Sequence, residues 1–393
     1  MKSIVIIFWI AAFVVFYTYI GYGILLSVMV RIKEFIKKPH AKILPEELPA
    51  VTLLIAAYNE QDVVAAKMVN NLALDYPTEL LKIVWVTDGS TDRTNELLSA
   101  YERVEILFEA PRRGKSAAIN RSMAFITTPI VVFTDANTML CRQAIKEMVL
   151  QFTDPKVGCV AGEKRVSSHT SQDATSGEGV YWKYESTLKA LDYRLYSAVG
   201  AAGELFAIRS ALYVKMPDNT LLDDFMMSMD IAQRGYKIAY CQRAYAVESS
   251  SQDITQEAKR KVRIAAGGLQ SIARLGSLLN IFRYGTLSFQ YISHRVLRWS
   301  ITPMLWFALL PLNIVLAYGY GIGSIYGVML IVQLIFYLIA TAGYVLNRRK
   351  IHSKLFFVPY YFLFMNICTF QGILYLSKHR GSGIWDKAQR KSE

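Results

Sequence analysis

Apolar positions along the chain fall into distinct patterns, and each predicts a different kind of element. An uncharged apolar run at 4–30 is long enough to cross a bilayer. Further on, short apolar runs alternate with stretches of helical period. Runs at 51–57, 82–87, 104–108 and 130–134 predict strands, and 61–74, 92–101, 114–126 and 141–152 predict helices. Such βαβα alternation predicts an α/β domain with a mostly parallel mixed sheet covered on both faces. Residues 157–247 continue it, with a strand at 205–208 and a helix ending near Gly235. A long apolar stretch at 301–346 breaks at its glycine-rich centre, 318–326, and predicts two membrane spans. A third membrane segment is expected at 355–376, where Pro359, Asn366 and Gln371 leave a full crossing and a re-entrant path both open.

These patterns divide the chain into a membrane helix (1–31), a proline- and charge-rich juxtamembrane linker (32–49), the α/β domain (50–250), basic and amphipathic helices expected at the bilayer interface (251–299), membrane segments (300–377) and a basic tail (378–393). The net charge of +13 sits beside apolar runs, at Arg31, Lys33, Lys37 and Lys38 and again at Arg348, Arg349 and Lys350. That bias places the α/β domain on the cytoplasmic face of a cell membrane. Lys2 alone supplies too little leading charge for a cleaved signal peptide. No nucleic-acid module accompanies the positive charge, so nucleic acid is excluded as a partner. The four cysteines form no C-x-x-C pair and the five histidines are scattered, which argues against zinc.

Candidate chemistry gathers where strands end, the place where open α/β sheets bind ligands. Tyr58-Asn59-Glu60, Asp88-Gly89-Ser90 and Asp135-Ala136-Asn137 all follow predicted strands. Asp135 offers the hard oxygen that Mg²⁺ or Mn²⁺ on a diphosphate requires. Asp92 suits the N-cap of the next helix, which leaves Asp88 as the better ligand candidate, toward a nucleoside. Arg112, Arg113 and Lys115 stand at a helix N-terminus, where cations oppose the dipole; an anion such as diphosphate resolves that conflict, and a solvated basic turn is the plainer alternative. Gly200–Gly203 forms a small-residue loop. Asp223 and Asp224 begin a later helix: like charges raise one another's pKa and make a usable general base, while an acidic pair also favours the helix dipole. The residues leave both roles open. Arg260 and Arg263, at i and i+3, share a face fit to clamp a diphosphate.

Taken in order, these pieces resemble the membrane-embedded family 2 glycosyltransferases, the cellulose, chitin, hyaluronan and poly-N-acetylglucosamine synthases, over residues 50–300. The resemblance implies a GT-A type fold. It implies that Ala57, Tyr58, Asn59, Glu60 and Asp88 meet the nucleotide, that Lys115 approaches its diphosphate, and that Asp135 and Asn137 correspond to the D-x-D metal motif. Gly203 and Glu204 fall on the acceptor-side loop. Leu222-Asp223-Asp224 matches T-E-D, whose last carboxylate, here Asp224, is the base. Arg260–Ile264 aligns with Q-x-x-R-W. Two departures stand out: Asn137 replaces the second metal-binding Asp, and Arg260 and Ile264 replace Gln and Trp. The implied activity is inverting transfer of a sugar from a nucleotide donor, a UDP-sugar, with Mg²⁺ or Mn²⁺, onto a growing polysaccharide that the C-terminal segments export. The altered Q-x-x-R-W favours instead a single addition to a membrane lipid acceptor. A silent subunit of an export complex is the third reading, and accessory subunits are candidate partners.

Overall fold

A computed structural model describes residues 1–36, 47–167, 176–249, 254–349, 351 and 353–378. Of the expected linker at 32–49, residues 32–36 continue the first helix and 37–46 lie outside the described residues, as does the basic tail from 379.

The four apolar runs form β1 (Val51–Ala57), β2 (Leu81–Asp88), β3 (Val104–Glu109) and β4 (Ile130–Asp135). Leu53, Ile55, Ile83, Trp85 and Val132 enter one core, and Leu54, Val84, Val86, Val131 and Phe133 the other. Burial on both faces requires apolar side chains at successive positions, which is why these runs lack a two-residue alternation. Helices α1 (Lys2–Ile36), α2 (Gln61–Leu72), α3 (Thr94–Ser99), α4 (Lys115–Ser122) and α5 (Ala144–Val149) precede, join or follow these strands. Side chains of α2, α3 and α5 fill the first core, and those of α4 fill the second.

Four further strands complete the sheet: β5 (Thr138–Leu140), β6 (Val157–Ser167), β7 (Phe206–Arg209) and β8 (Lys237–Ser249). The order is β3-β2-β1-β4-β7-β6-β8-β5. Pairs β1–β2, β2–β3, β1–β4 and β6–β8 are parallel, whereas β7 runs antiparallel to β4 and β6, as does β5 to β8. The reversal at β7 has a functional consequence. Because Phe133 pairs with Phe206, the chain enters β7 at the carboxyl end of β4, so the 200–204 loop lies beside Asp135. Stacked rings of Phe133 and Phe206, with centroids 4.6 Å apart, fix that register.

Next come α6 (Ser176–Leu195), α7 (Asp223–Gln233) and α8 (Ile254–Arg274), then α9 (Ile301–Tyr320), α10 (Ile325–Arg348) and α11 (Lys354–Lys378). Helices α1, α9, α10 and α11 are long and apolar enough to cross a membrane. Phe8, Ala11 and Val15 of α1 pack on Leu309, Leu316 and Ala317 of α9. The third C-terminal segment is one continuous helix through Pro359, packed against both α10 and α8.

The 281–299 segment departs from the expected interfacial amphipathic helix. A turn at Gly285, φ +52°, splits it into a short helix at 281–284 and a helix at 286–299 with a π-helical turn, and His294, Arg295 and Arg298 point inward while Arg283 is exposed. His294 Nδ1 lies 2.5 Å from Asp192, and Arg295 and Arg298 lie 2.6 and 2.9 Å from Glu185. Two carboxylates on α6 are buried here, and buried charge demands counter-charge more strongly than a lipid headgroup region can compete for it. Phe282, 99% exposed, remains on the outside.

Candidate active site

At the exits of β1 and β2 the chain builds an interlocked pair of turns. Beyond Ala57, Asn59 adopts φ +52°, a left-handed conformation that Asn tolerates better than most residues, and its Oδ1 accepts from Thr91 N at 2.8 Å. The amide of Glu60 donates to Thr94 Oγ1 at 2.8 Å, and Arg112 covers the Tyr58 ring at 3.7 Å. Asp88, 4% exposed, accepts from the backbone amides of Arg113 (3.1 Å) and Gly114 (2.6 Å). The structure therefore gives Asp88 a job the sequence did not announce: it anchors the turn that presents Lys115.

A second group converges from four elements. Lys115, at the start of α4, places Nζ 2.7 Å from Asp135 Oδ1 at the end of β4 and 3.7 Å from Asp223 Oδ2 at the start of α7. A Cβ built on Gly203 would sit 3.2 Å from Lys115 Nζ, 3.4 Å from Asp224 Oδ2 and 3.8 Å from Asp135 Oδ2, so the three groups surround that glycine. Gly200 holds the loop in place: its φ is +85°, and a Cβ there would meet the Phe225 ring at 2.2 Å. Burial, reinforced by the charge of Asp223, pushes the Asp224 carboxyl up to about 7 against the pull of Lys115 and the amide of Phe225. Burial disfavours charge on Lys115 as well, but Asp135, Asp223 and Asp224 outweigh it and hold the ammonium above the ordinary lysine range. A carboxylate titrating near neutrality beside a fixed cation is matched to proton abstraction.

Glu204, next in the loop, turns away from this group. It pairs with the buried Lys164, which also meets Glu248. Arg260 joins them, 3.9 Å from Glu204, 3.9 Å from Glu248 and 3.5 Å from Glu257, while Lys261 lies 3.2 Å from Glu257. Burial raises the Glu204 carboxyl, but Lys164 and Arg260 more than offset that and hold it well below the usual range. The two arginines of the expected clamp therefore have different neighbours. Arg260 serves a carboxylate cluster that joins β6, β8, the loop and α8; Arg263 faces the site with a buried Nε that has no hydrogen-bond partner among the described residues. The departure from Gln at 260 thus has a local cause in those three glutamates.

One cavity of about 470 Å³ connects Lys115, Asp135, Gly203, Glu204, Asp223, Asp224, Arg260 and Arg263 to Tyr19 of α1 and to Tyr361, Phe362 and Asn366 of α11. Residues 49–267 match the family model described as glycosyltransferase like family 2. The chain belongs to glycosyltransferase family 2. Among its relatives is the poly-beta-1,6-N-acetyl-D-glucosamine synthase of Staphylococcus aureus (strain MSSA476), 30% identical over 248 residues, which are 61% of this chain and 58% of the synthase. The probable glycosyltransferase YdaM of Bacillus subtilis (strain 168) is 26% identical over 245 residues, 56% of each chain. The match thus spans less than two thirds of these relatives' length. A solved mannosyltransferase, PcManGT from Pyrobaculum calidifontis in complex with GDP-Man and Mn²⁺, superposes with a TM-score of 0.70 at 21% identity, over 94% of this chain and 98% of that one. The likeness shows the GT-A fold together with its flanking helices.

In this family 2 chain the predicted residues form two loci. Lys115, Asp135, Gly203, Glu204, Asp223, Asp224, Arg260 and Arg263 line the cavity, whereas Ala57, Tyr58, Asn59, Glu60 and Asp88 belong to the turns at the exits of β1 and β2, and Asn137, half-buried, is not part of the cavity wall. Sequence reasoning missed Lys164, Glu185, Glu248 and Glu257, whose partners are remote in the chain. It also missed Lys67, which had a signal: Val64, Lys67, Met68 and Asn71 are the buried positions of α2, an i, i+3, i+4, i+7 stripe containing a lysine.

Proposed function

We propose that this glycosyltransferase moves a sugar from a nucleotide donor, a UDP-sugar, to the hydroxyl at the end of a growing polysaccharide, with inversion at the anomeric carbon. The observation that carries the reading is the single cavity that begins at Asp224 and Lys115 and ends on α1 and α11: a reaction centre opening onto membrane helices suits an acceptor that leaves along them. Asp224 takes the proton of the acceptor hydroxyl. Lys115 and Arg263 hold the departing diphosphate and neutralise the charge that develops on it. Asp135 is a hard oxygen donor next to that diphosphate. Among the described residues no group of three or more His, Cys, Asp or Glu could hold a metal by itself. Mg²⁺ and Mn²⁺ accept such a site, since one or two carboxylates and the substrate's own phosphates complete their shell. The ion, once bound, supplies Lewis-acid stabilisation of the leaving group. The basic flanks at Arg31, Lys33 and Arg348 support a catalytic domain on the cytoplasmic side of the cell membrane.

A second reading, single addition to a membrane lipid, is favoured by one observation: Val358, Phe362 and Met365 give the far end of the cavity an apolar wall. Product size decides between them. The protein is purified in lipid, given labelled nucleotide sugars with Mg²⁺ or Mn²⁺, and its products are resolved by chain length. A ladder of long chains from one donor is expected; a single labelled lipid establishes the second reading, and turnover with no donor overturns both.

A further inference from the structure

We propose that Lys67 is a positioning residue of the donor site; the proposal rests on the glycosyltransferase reading above. Lys67 projects from the buried face of α2 and is 0% exposed. Its ammonium donates to the carbonyl of Thr138 at 2.5 Å and to Thr134 Oγ1 at 3.3 Å, the two residues that flank the Asp135-Ala136-Asn137 turn. No carboxylate lies within ion-pair distance of it among the described residues. A lysine kept in the interior with only neutral oxygens as partners binds the turn through the hydrogen bonds it donates, and leaving those partners unpaired there is costly.

The contacts lead on from that turn. Thr134 Oγ1 donates to the carbonyl of Glu204 at 2.9 Å, and Thr138 Oγ1 reaches the carbonyl of Asp135 at 3.0 Å and lies 2.9 Å from Thr134 Oγ1. Lys67 therefore stands at the root of a short network that sets where Asp135 lies relative to the 203–204 loop, the donor half of the site relative to the acceptor half. Burial lowers the Lys67 ammonium to about 7 while Asp135 draws it back up, which agrees with that placement. Lys67 touches no reacting atom. Its effect reaches the reaction through Thr134 and the two turns.

The test compares Lys67→Met, Thr134→Val, Thr134→Ser and the Lys67→Met/Thr134→Val double variant in the full-length protein in lipid, with Met68→Ala as a core control. Binding of a UDP-sugar is titrated in EDTA and then against Mn²⁺, and thermal melting is followed in parallel. Lys67→Met and Thr134→Val are each expected to weaken the Mn²⁺ dependence of binding at least tenfold and to leave binding in EDTA within twofold. The double variant is expected to be no worse than either single one, because both break one network. Thr134→Ser, which keeps the hydroxyl, is expected to match wild type. Unchanged Mn²⁺ dependence in Lys67→Met and Thr134→Val overturns the proposal, as do additive defects or losses that track the folded fraction as in Met68→Ala. A wild type that binds no nucleotide sugar overturns the functional reading and this proposal with it; a wild type that binds, beside unaffected variants, overturns the proposal alone.

Discussion

Lys115 Nζ lies 2.7 Å from Asp135 Oδ1, so the residue expected to meet the diphosphate is the counter-ion of the residue expected to meet the metal. The pair neutralises itself, and in the proposed reaction a diphosphate carrying a cation offers each member a better partner. Lys115→Met should raise the donor KM and lower kcat/KM by about 10²–10³-fold, the range for losing one preorganised stabiliser of developing charge. Lys115→Arg should recover little, because a planar fork does not replace a compact ammonium among three carboxylates. Steady-state kinetics with varied donor and fixed acceptor checks both.

The Asp224 carboxyl, raised to about 7, must be ionised to act as base, so turnover should fall as pH drops through neutrality. The stability effect has a definite sign. A folded-state value above that of the unfolded chain, about 3.9 for Asp, means a contribution present in full below pH 4 and lost as pH rises through 7. Asp224→Asn should therefore abolish transfer, leave nucleotide binding nearly intact, and melt higher than wild type at pH 8 while matching it near pH 4. Equal melting curves at both pH values would remove Asp224 from this role.

The β1–β4 half of the fold was legible because strands such as β1 and β4 are buried on both faces, and apolar runs such as 51–57 and 130–134 need no partner to be read. Strands β6 and β8 were not. They carry Lys164, Arg165, Gln242 and Arg243 among their apolar residues, and what buries Lys164 is Glu204 and Glu248, distant in sequence. The same limit governed the site. Asp135, Lys115 and Asp224 stand at element ends and announce themselves. The fate of Arg260 depended on three glutamates from three elements, and that of His294, Arg295 and Arg298 on the two carboxylates of α6.

Arg260 and Arg263, one helical turn apart on α8, should separate cleanly in experiment. Arg263→Ala is expected to weaken nucleotide-diphosphate binding and to slow transfer about 10²-fold, with melting unchanged. Arg260→Ala leaves Glu204 and Glu248 short of positive charge in the interior and should destabilise the fold by about 3 kcal/mol, the scale for breaking a buried ion pair from one side. Nucleotide titration and thermal melting of the two variants give the comparison. If Arg263→Ala binds nucleotide as wild type does, the diphosphate rests on Lys115 and on a cation at Asp135 without it.

Gly203 lies among Lys115, Asp224 and Asp135, and its φ lies outside the left-handed region. An added methyl would fall 3.2 Å from Lys115 Nζ, 3.4 Å from Asp224 Oδ2 and 3.8 Å from Asp135 Oδ2. None of these contacts is with backbone, and the lysine can yield by a few tenths of an ångström, so Gly203→Ala should fold and melt close to wild type. The methyl would nevertheless occupy the space where the acceptor hydroxyl must approach both the base and the donor. A misplacement of about 1 Å at the reacting centre costs about 10²-fold. Gly203→Ala is therefore expected to lose at least that much in kcat while nucleotide binding in EDTA stays within twofold. A fully active Gly203→Ala protein would move the reacting centre away from the point where Lys115, Asp135 and Asp224 converge.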